Sequence, residues 1–320
     1  MRIASKGILS QDREVTFYFD SKPYQGFVGD TVASALLAND VHLVGRSFKY
    51  HRPRGILGIG SEEPNALISV HKGGKVEPNV RATTQEIYEG LIVTSQNSWP
   101  NLKFDALAIN DITAPFFSAG FYYKTFMWPP RFWEALYEPI IRRAAGLGKL
   151  DCEPDNDNYD QNFAFCDLLI IGGGPSGLFS ALLAGRAGLD VILVDENPNF
   201  GGRLLFENTI IDGNDCIDWI QSCLGELKSL KNVRMLPRAT VFGVYDQGTF
   251  GVLERFSRHV PSSGSDSVLD CFWRIVASRS ILASGAIERH IAFGNNDRPG
   301  IMMASAVRGY LNHYGVAAGK

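Results

Sequence analysis

Residues 167–195 read DLLIIGGGPSGLFSALLAGRAGLDVILVD. An apolar run leads directly into a glycine-rich turn, and a stretch with helical character follows. A second apolar run then stops at an acid, Asp195. A strand, a glycine turn, a helix, a strand and an acid in this order are typical of the βαβ unit that binds dinucleotides. We therefore predict a Rossmann-like FAD/NAD(P)-binding domain of the α/β class.

Each glycine of the turn has a predicted role. Gly172 permits a tight turn after the strand, Gly174 lets the backbone approach a pyrophosphate, and Gly177 lets the helix pack closely on the sheet. Free N–H groups at the start of the helix attract the phosphates. A carboxylate at Asp195 accepts hydrogen bonds from a ribose diol and repels a 2′-phosphate, which favours NAD or FAD over NADP. Glu196 is a second candidate for the same role.

The composition excludes several classes of protein. The chain has 320 residues, 45% hydrophobic and 20% charged, with a net charge of −3. This charge gives no reason to expect nucleic acid or an anionic membrane as a partner. We expect no signal peptide or membrane span, since no apolar run reaches about 18 residues, and a cytoplasmic location. The five cysteines form no C-x-x-C pair, which argues against a redox disulfide and a zinc site.

The first hundred residues predict a different, smaller domain. Val15, Phe17 and Phe19 alternate with polar neighbours as in a half-buried strand. A second strand ends near Phe27, a helix begins after Thr31, and further strands are predicted over 66–70 and 87–93. We expect residues 1–100 to form a small α+β domain of the β-grasp kind and residues 162–320 to form the dinucleotide-binding domain. Residues 101–161 connect them and end in an acidic linker over 151–161.

Two segments allow more than one interpretation. Residues 46–55, RSFKYHRPRG, interleave basic and aromatic side chains. They form either a solvated basic loop or a loop that touches an anionic cofactor or a protein partner. Residues 116–137, FFSAGFYYKTFMWPPRFWEALY, are dense in aromatic residues, which is typical of a core or a subunit interface. We favour an interface.

Further candidates follow Asp195. Gly201 and Gly202 come after the second strand, and a later strand ends at Ser284 and Gly285. That small-residue turn is expected to return the backbone to the nucleotide, and Arg289 and His290 beyond it are either near the cofactor or at a loop edge. The candidate cofactor-binding residues are Gly172, Gly174, Pro175, Ser176, Gly177, Asp195, Glu196, Gly201, Gly202, Arg203, Ser284 and Gly285. No catalytic residue and no metal ligand is predicted.

Several strings together resemble the alpha subunits of heterotetrameric sarcosine oxidases. They are RSFKYHRPRGILGIGSEEPNALISV at 46–70, GGGPSG at 172–177, VDENPNFGG at 194–202 and ASGAIERHIAFGNNDRPGIM at 283–302. The resemblance implies a 2Fe-2S ferredoxin-like fold for the first domain. Relatives with a cluster carry cysteines in the loop after the basic segment, but residues 57–67 have none. Because a cluster needs thiolate ligands, the domain is expected to be cluster-free.

The resemblance also implies a division of labour. In this family the alpha chain holds NAD in the glycine-rich domain, FMN lies at the interface with the beta subunit, and FAD lies on the beta subunit. Sarcosine is oxidised to glycine, oxygen is reduced to hydrogen peroxide, and tetrahydrofolate receives the one-carbon unit. Beta, gamma and delta subunits are the implied partners. The folate-binding domain and a second βαβ unit are missing from these residues, so we expect the front part of a longer protein that does not oxidise sarcosine alone.

Two alternatives remain open. In the first, the chain is a subunit of a related amine or opine dehydrogenase with FAD in the glycine-rich domain. In the second, it is an assembly module without catalytic function, in which the nucleotide is structural.

Overall fold

Two sheets organise the chain. The computed structural model describes residues 1–3, 6–116, 120, 128–145, 148, 151–152, 154–261 and 267–319. The strands are β1 Glu14–Phe19, β2 Lys22–Phe27, β3 Gly45–Arg46, β4 Pro53–Arg54, β5 Leu67–Lys72, β6 Lys75–Arg81, β7 Ile92–Ser95, β8 Asn158–Ile171, β9 Val191–Val194, β10 Ile210–Ile211, β11 Asn214–Asp215, β12 Val233–Leu236, β13 Ala239–Tyr245, β14 Thr249–Arg255 and β15 Val268–Leu282. The α-helices are α1 Val32–Ala38, α2 Ile109–Ile112, α3 Glu138–Ala145, α4 Pro175–Arg186, α5 Cys216–Ser229 and α6 Ala304–Asn312.

The first sheet has the β-grasp arrangement predicted from the sequence. Its order is β2-β1-β7-β5-β6, with β1 parallel to β7 and the other neighbours antiparallel. The alternating residues Val15, Phe17 and Phe19 all point into the core. Helix α1 packs on this face, and Thr31 caps it by accepting a hydrogen bond from the Ser34 N–H at 3.2 Å.

The second sheet contains the predicted βαβ unit. Its order is β12-β9-β8-β15-β14-β13, in which β12, β9, β8 and β15 run parallel and the last three strands form an antiparallel meander. Helices α4 and α5 cover one face, where Cys216 and Cys223 are buried on one side of α5. A separate cluster fills the opposite face. The predicted fold class is therefore confirmed.

Helix α4 begins unusually close to the strand before it. A Cβ atom added to Gly177 would lie 1.8 Å from the carbonyl oxygen of Gly172. Gly172 itself has a positive φ of 107°, which favours glycine. The close approach of helix to strand therefore depends on the absence of a side chain at position 177.

The C-terminal helix packs on the first sheet, although the sequence suggested a place in the dinucleotide-binding domain. Ala306, Tyr310 and Tyr314 lie in the same buried cluster as the β-grasp core. The N–H groups of Ile8 and Leu9 donate to the carbonyl of His313, both at 3.0 Å. The spacing of apolar residues in a sequence indicates that a helix has an apolar face, but it does not indicate which sheet covers that face.

Two other segments have different bounds from those predicted. The predicted acidic linker over 151–161 ends earlier, because β8 begins at Asn158 and pairs with β15 along its polar first half. In the predicted strand over 87–93, only the end belongs to β7. Ile87 and Leu91 are buried but lie outside any strand, on either side of a turn at Glu89 and Gly90. Of the aromatic segment 116–137, residues 117–119 and 121–127 lie outside the described residues, and its role as an interface stays a prediction.

Ion pairs join the two sheets. Arg238 forms two hydrogen bonds with the carboxylate of Glu86, at 2.6 and 2.7 Å. Arg258 bridges Glu77 and Asp270, at 2.5 and 2.7 Å, and these carboxylates raise the pKa of its guanidinium. Both arginines are partly buried, so solvent screens these pairs less than exposed ones. In the described part of the chain, no helix is long and apolar enough to cross a membrane.

The buried imidazole of His313 should make the stability of the fold sensitive to acid. Burial lowers the pKa of its imidazole to about 4 from the usual 6.5, and its ring packs against Phe206 and Tyr314. Since the folded state disfavours the charged form, its contribution to stability is lost as the pH falls from 6.5 towards 4, up to about 3 kcal/mol. His313→Phe should weaken this pH dependence. The test compares urea unfolding of both proteins between pH 4 and 7; parallel curves would contradict it.

Gly177→Ala should destabilise the second sheet. The added methyl group meets the Gly172 carbonyl, and overpacking of this kind costs about 1–3 kcal/mol. Gly225→Ala is the matched control, because Gly225 lies inside α5 with open space around its Cβ position; this change should be neutral or stabilise by about 1 kcal/mol. Thermal unfolding distinguishes them, and equal melting temperatures would refute the predicted clash.

Candidate dinucleotide-binding site

The glycine turn lies where β8 and β15 end side by side. A Cβ on Gly172 would lie 2.3 Å from the carbonyl oxygen of Ala283 and 3.0 Å from the nitrogen of Ser284. The chain therefore returns to the turn at Ala283 and Ser284, just after the end of β15, while the place of Gly285 beside a nucleotide stays a prediction. By contrast, a Cβ on Gly174 would meet nothing within 4 Å. Gly174 thus faces open space, where a ligand can approach the backbone.

The start of α4 is directed at this open space. Gly174 is the N-cap residue and its carbonyl accepts from the Leu178 N–H at 2.9 Å. Pro175 follows at the first helical position, where its missing N–H costs nothing. The backbone N–H groups of Ser176 and Gly177 belong to the first turn and have no acceptor within the helix. This geometry suits an anionic group such as a pyrophosphate.

Asp195 is part of the turn rather than of an open surface. Its side chain is buried; Oδ2 accepts from the Gly173 N–H at 2.6 Å, and Oδ1 accepts from the backbone and side chain of Asn197 at 2.8 and 3.0 Å. The carboxylate therefore ties the turn to the end of β9. The sequence predicts Asp195 as the ribose acceptor with Glu196 as a second candidate, whereas this geometry favours Glu196.

Glu196, the residue after Asp195, is exposed. Its Oε1 accepts from the hydroxyl of Ser61 at 2.9 Å, and its backbone carbonyl accepts from Arg255 at 2.5 Å. Sequence reasoning missed Ser61 and Arg255, because they lie far from Glu196 along the chain and carry no motif. The packing of the two sheets brings Ser61 to Glu196, whereas Arg255 reaches it from β14 of the same sheet.

The second glycine pair lies against the turn. The Gly201 N–H donates to the Gly173 carbonyl at 2.8 Å, and a Cβ on Gly202 would lie 2.9 Å from the Cα of Gly174. The neighbouring Arg203 is exposed and pairs with Glu207 in the next turn. Gly201 and Gly202 thus shape the site, whereas Arg203 has an internal partner.

The segment after Gly285 is largely exposed. Arg289 is exposed, and the ring of His290 lies 6.4 Å from that of Phe293. Glu288 instead caps α6 by accepting from the N–H groups of Ala304 and Ser305, at 3.2 and 2.7 Å. The Ser305 hydroxyl, and after it these backbone N–H groups, lower the pKa of Glu288. The loop after the site is thus anchored to the helix that packs on the first sheet.

The basic segment 46–55 is neutralised mainly within the chain. Arg52 and Arg54 pair with Asp297 at 3.0 and 2.8 Å. His51 and Asp105 form a buried hydrogen bond at 2.7 Å. These contacts favour a structural role for the segment over a free anion-binding loop.

The described residues offer little support for a metal site or a nucleophilic cysteine. They contain no cluster of three or more metal-ligating side chains. Burial raises the pKa of the Cys166 thiol to about 11 and raises those of Cys223 and Cys271, so these thiols are poor nucleophiles near neutral pH. A cavity of about 530 Å³ beside Cys166 and Gly248 is separate from the glycine turn. What the described site can do is bind and orient a nucleotide.

Comparisons with known proteins agree with this arrangement. Residues 12–98 match the family model of a 2Fe-2S iron-sulfur cluster binding domain, and residues 167–223 match that of an FAD dependent oxidoreductase. L-proline dehydrogenase from P. horikoshii superposes with a TM-score of 0.63 at 21% identity, over 100% of this chain and 50% of that chain. This similarity supports the fold.

The first domain has the fold of a cluster-binding domain without its ligands. No cysteine occurs between residues 12 and 98, and Fe–S clusters are held by thiolates. The residues present therefore do not fit a [2Fe–2S] cluster.

Three relatives are informative. The sarcosine oxidase alpha subunit of Rhizobium meliloti (strain 1021) is 56% identical over 319 residues, which is 100% of this chain and 32% of that protein. Its counterpart in Corynebacterium sp. (strain U-96) is 36% identical, over 97% of this chain and 28% of that protein. An opine oxidase subunit of Agrobacterium tumefaciens (strain Ach5) is 32% identical over 45% of this chain and 28% of that protein. The chain is therefore homologous over its whole length to sarcosine oxidase alpha subunits, and it spans about a third of the length of these relatives.

Proposed function

We propose that this chain is the nucleotide-binding part of the alpha subunit of a sarcosine oxidase, with NAD bound at the glycine turn. The observation that carries the proposal is the turn itself. Gly174 faces open space at the start of α4, and the exposed Glu196 directly follows Asp195, whose carboxylate accepts from the Gly173 N–H of the same turn. The pyrophosphate of a dinucleotide needs an open glycine turn at a helix start, and its ribose needs an acid after the second strand of the βαβ unit. The 56% identity to a sarcosine oxidase chain supports the choice of family.

Each residue of the turn has a defined task in this proposal. The N–H groups of Ser176 and Gly177 donate to the pyrophosphate, and Gly174 and Gly202 leave room for it. Glu196 accepts from the ribose hydroxyls, while Asp195 holds the turn through Gly173. Ser284 and Gly285 border the site beside Gly172. A bound nicotinamide or flavin would supply the hydride-accepting chemistry, and the chain orients it.

FAD at the same turn is the alternative. The match of residues 167–223 to the FAD dependent oxidoreductase model favours it, as does the similarity to an opine oxidase. The turn and Glu196 recognise only the ADP portion that NAD and FAD share, so they do not choose between the two cofactors.

The wider activity belongs to the proposed complex. In it, sarcosine is oxidised to glycine with FAD on a beta subunit, electrons pass to FMN at the interface between alpha and beta subunits and then to oxygen, and tetrahydrofolate receives the one-carbon unit. Gamma and delta subunits complete the assembly in the cytoplasm. Residues 1–100, 101–161 and 162–320 remain the proposed domain division, with α6 crossing back to the first domain.

Identification of the bound nucleotide tests this proposal. The purified chain is denatured, and any released nucleotide is identified by mass spectrometry alongside the visible spectrum of the native protein. We expect colourless protein that releases NAD. Yellow protein that releases FAD would replace the NAD assignment with the alternative. Protein that neither releases nor binds either dinucleotide would refute the site.

Glu196→Gln and Asp195→Asn should separate binding from folding. Loss of the Glu196 charge should weaken binding of NAD about tenfold, since hydrogen bonds to charged groups contribute about 1.5–3 kcal/mol, with the melting temperature unchanged. Asp195→Asn removes an acceptor from the N–H groups of the buried Gly173 or of Asn197 and should lower the melting temperature. Calorimetric titration and thermal unfolding measure the two effects. The reverse pattern would restore Asp195 as the ribose acceptor.

A further inference from the structure

A buried carboxylate occupies the middle of the loop formed by residues 57–66, called the carboxylate loop below. Glu63 is 1% exposed. Its Oε2 accepts from the N–H groups of Leu57 and Gly58 at 2.8 and 2.6 Å, and its Oε1 accepts from those of Asn65 and Ala66 at 2.7 and 3.0 Å. Four backbone donors from both ends of the loop therefore converge on one side chain.

Glu62 extends the same arrangement. Its Oε1 accepts from the N–H groups of Ile59 and Gly60, at 2.7 and 3.0 Å. A Cβ on Gly58 would lie 2.7 Å from this carboxylate, and a Cβ on Gly60 would lie 2.8 Å from it. The two glycines thus leave the space that the carboxylate fills.

The outward-facing carbonyls of the loop are also satisfied. Tyr310 of α6 donates its hydroxyl to the Gly58 carbonyl at 3.0 Å, and Thr83 donates to the Gly60 carbonyl at 2.7 Å. The Met303 N–H donates to the Leu57 carbonyl at 2.9 Å. The loop is consequently held from inside by two carboxylates and from outside by α6 and the first sheet.

The tip of the loop reaches the candidate nucleotide site. Ser61 lies between Gly60 and Glu62, and its hydroxyl donates to Glu196 Oε1 at 2.9 Å. Since Oε1 is engaged, Oε2 remains available to a ligand. The carboxylate loop is thus the point at which the first domain touches the acid proposed to bind ribose.

We propose that the carboxylates of Glu62 and Glu63 replace an iron–sulfur cluster as the anionic centre of this loop, and that the loop serves to position Glu196 through Ser61. The second half of this inference rests on the proposed function. Converging backbone N–H groups form a concavity that binds anions, and iron–sulfur centres occupy such concavities in other proteins. Here the thiolate ligands are absent and side chains of the chain itself supply the negative charge.

The exchange of one anion for another has a functional consequence. An iron–sulfur cluster transfers electrons, whereas a carboxylate held by four N–H groups only fixes the backbone. A rigid loop holds Ser61 in place, and Ser61 restricts Glu196 to one orientation before the ligand arrives. Restricting a side chain in advance lowers the entropy lost on binding. Ser61 is thus a positioning residue in the nucleotide site.

The first experiment measures binding of NAD, and in parallel FAD, by Ser61→Ala and Ser61→Thr. Ser61→Ala should weaken binding about three- to tenfold, the effect expected when the Glu196 side chain must be ordered on binding instead of beforehand. Ser61→Thr keeps a hydroxyl and should restore binding. Ser10→Ala removes a hydroxyl that bonds only within its own exposed turn and is the control. All four proteins should share one melting temperature. Unchanged or tighter binding by Ser61→Ala would overturn the positioning role.

The second experiment tests the loop without any nucleotide. Glu63→Gln leaves some of the four N–H groups without an acceptor, so amide hydrogen exchange over residues 57–66 should become about tenfold faster. Glu14→Gln at an exposed position is the matched control. Unchanged exchange would overturn the role of Glu63. A wild-type chain that binds neither dinucleotide would refute the proposed function and with it the role of Ser61, while the exchange result would still decide the role of Glu63.

Discussion

The backbone contact between Gly172 and the residues at the end of β15 is the constraint on which the second domain depends. A Cβ at position 172 would lie 2.3 Å from the Ala283 carbonyl, and one at Gly177 would lie 1.8 Å from that of Gly172. Three backbone segments therefore meet without side chains between them. Because two of these segments are strand ends and the third is the start of a helix, their meeting point leaves free N–H groups beside open space. The fold and the candidate site thus result from the same close packing.

Carboxylates that accept from backbone N–H groups hold several parts of this protein together. Asp195 joins the glycine turn to the end of β9, Glu288 caps α6, and Glu63 holds the carboxylate loop. A carboxylate engaged in this way is satisfied internally and contributes to structure. Glu196 differs from the buried Asp195 and Glu63, because it is exposed and has an oxygen left for a ligand. The distinction between structural and binding acids therefore depends on burial and partners rather than on residue type.

The two domains are joined by contacts that also reach the site. Arg238 and Arg258 pair with acids of the first domain, and α6 returns from the second sheet to the core of the first. Ser61 adds a hydrogen bond to Glu196 at the boundary. An iron–sulfur cluster would give the first domain a redox role, but its cysteines are absent. In the proposed complex the first domain instead acts as a support for the nucleotide site.

The sequence by itself determined the fold class, the glycine turn and the absence of cluster ligands. Local features carry this information: the spacing of glycines between two apolar runs, the alternation of Val15, Phe17 and Phe19, and the positions of the cysteines. Only the tertiary structure decided that Asp195 is buried while Glu196 is exposed, which core α6 joins and that Ser61 contacts Glu196. Neighbouring acids look alike in sequence, and contacts between residues far apart along the chain leave no periodic signal. Burial and long-range packing made those choices, since they depend on how the two sheets meet.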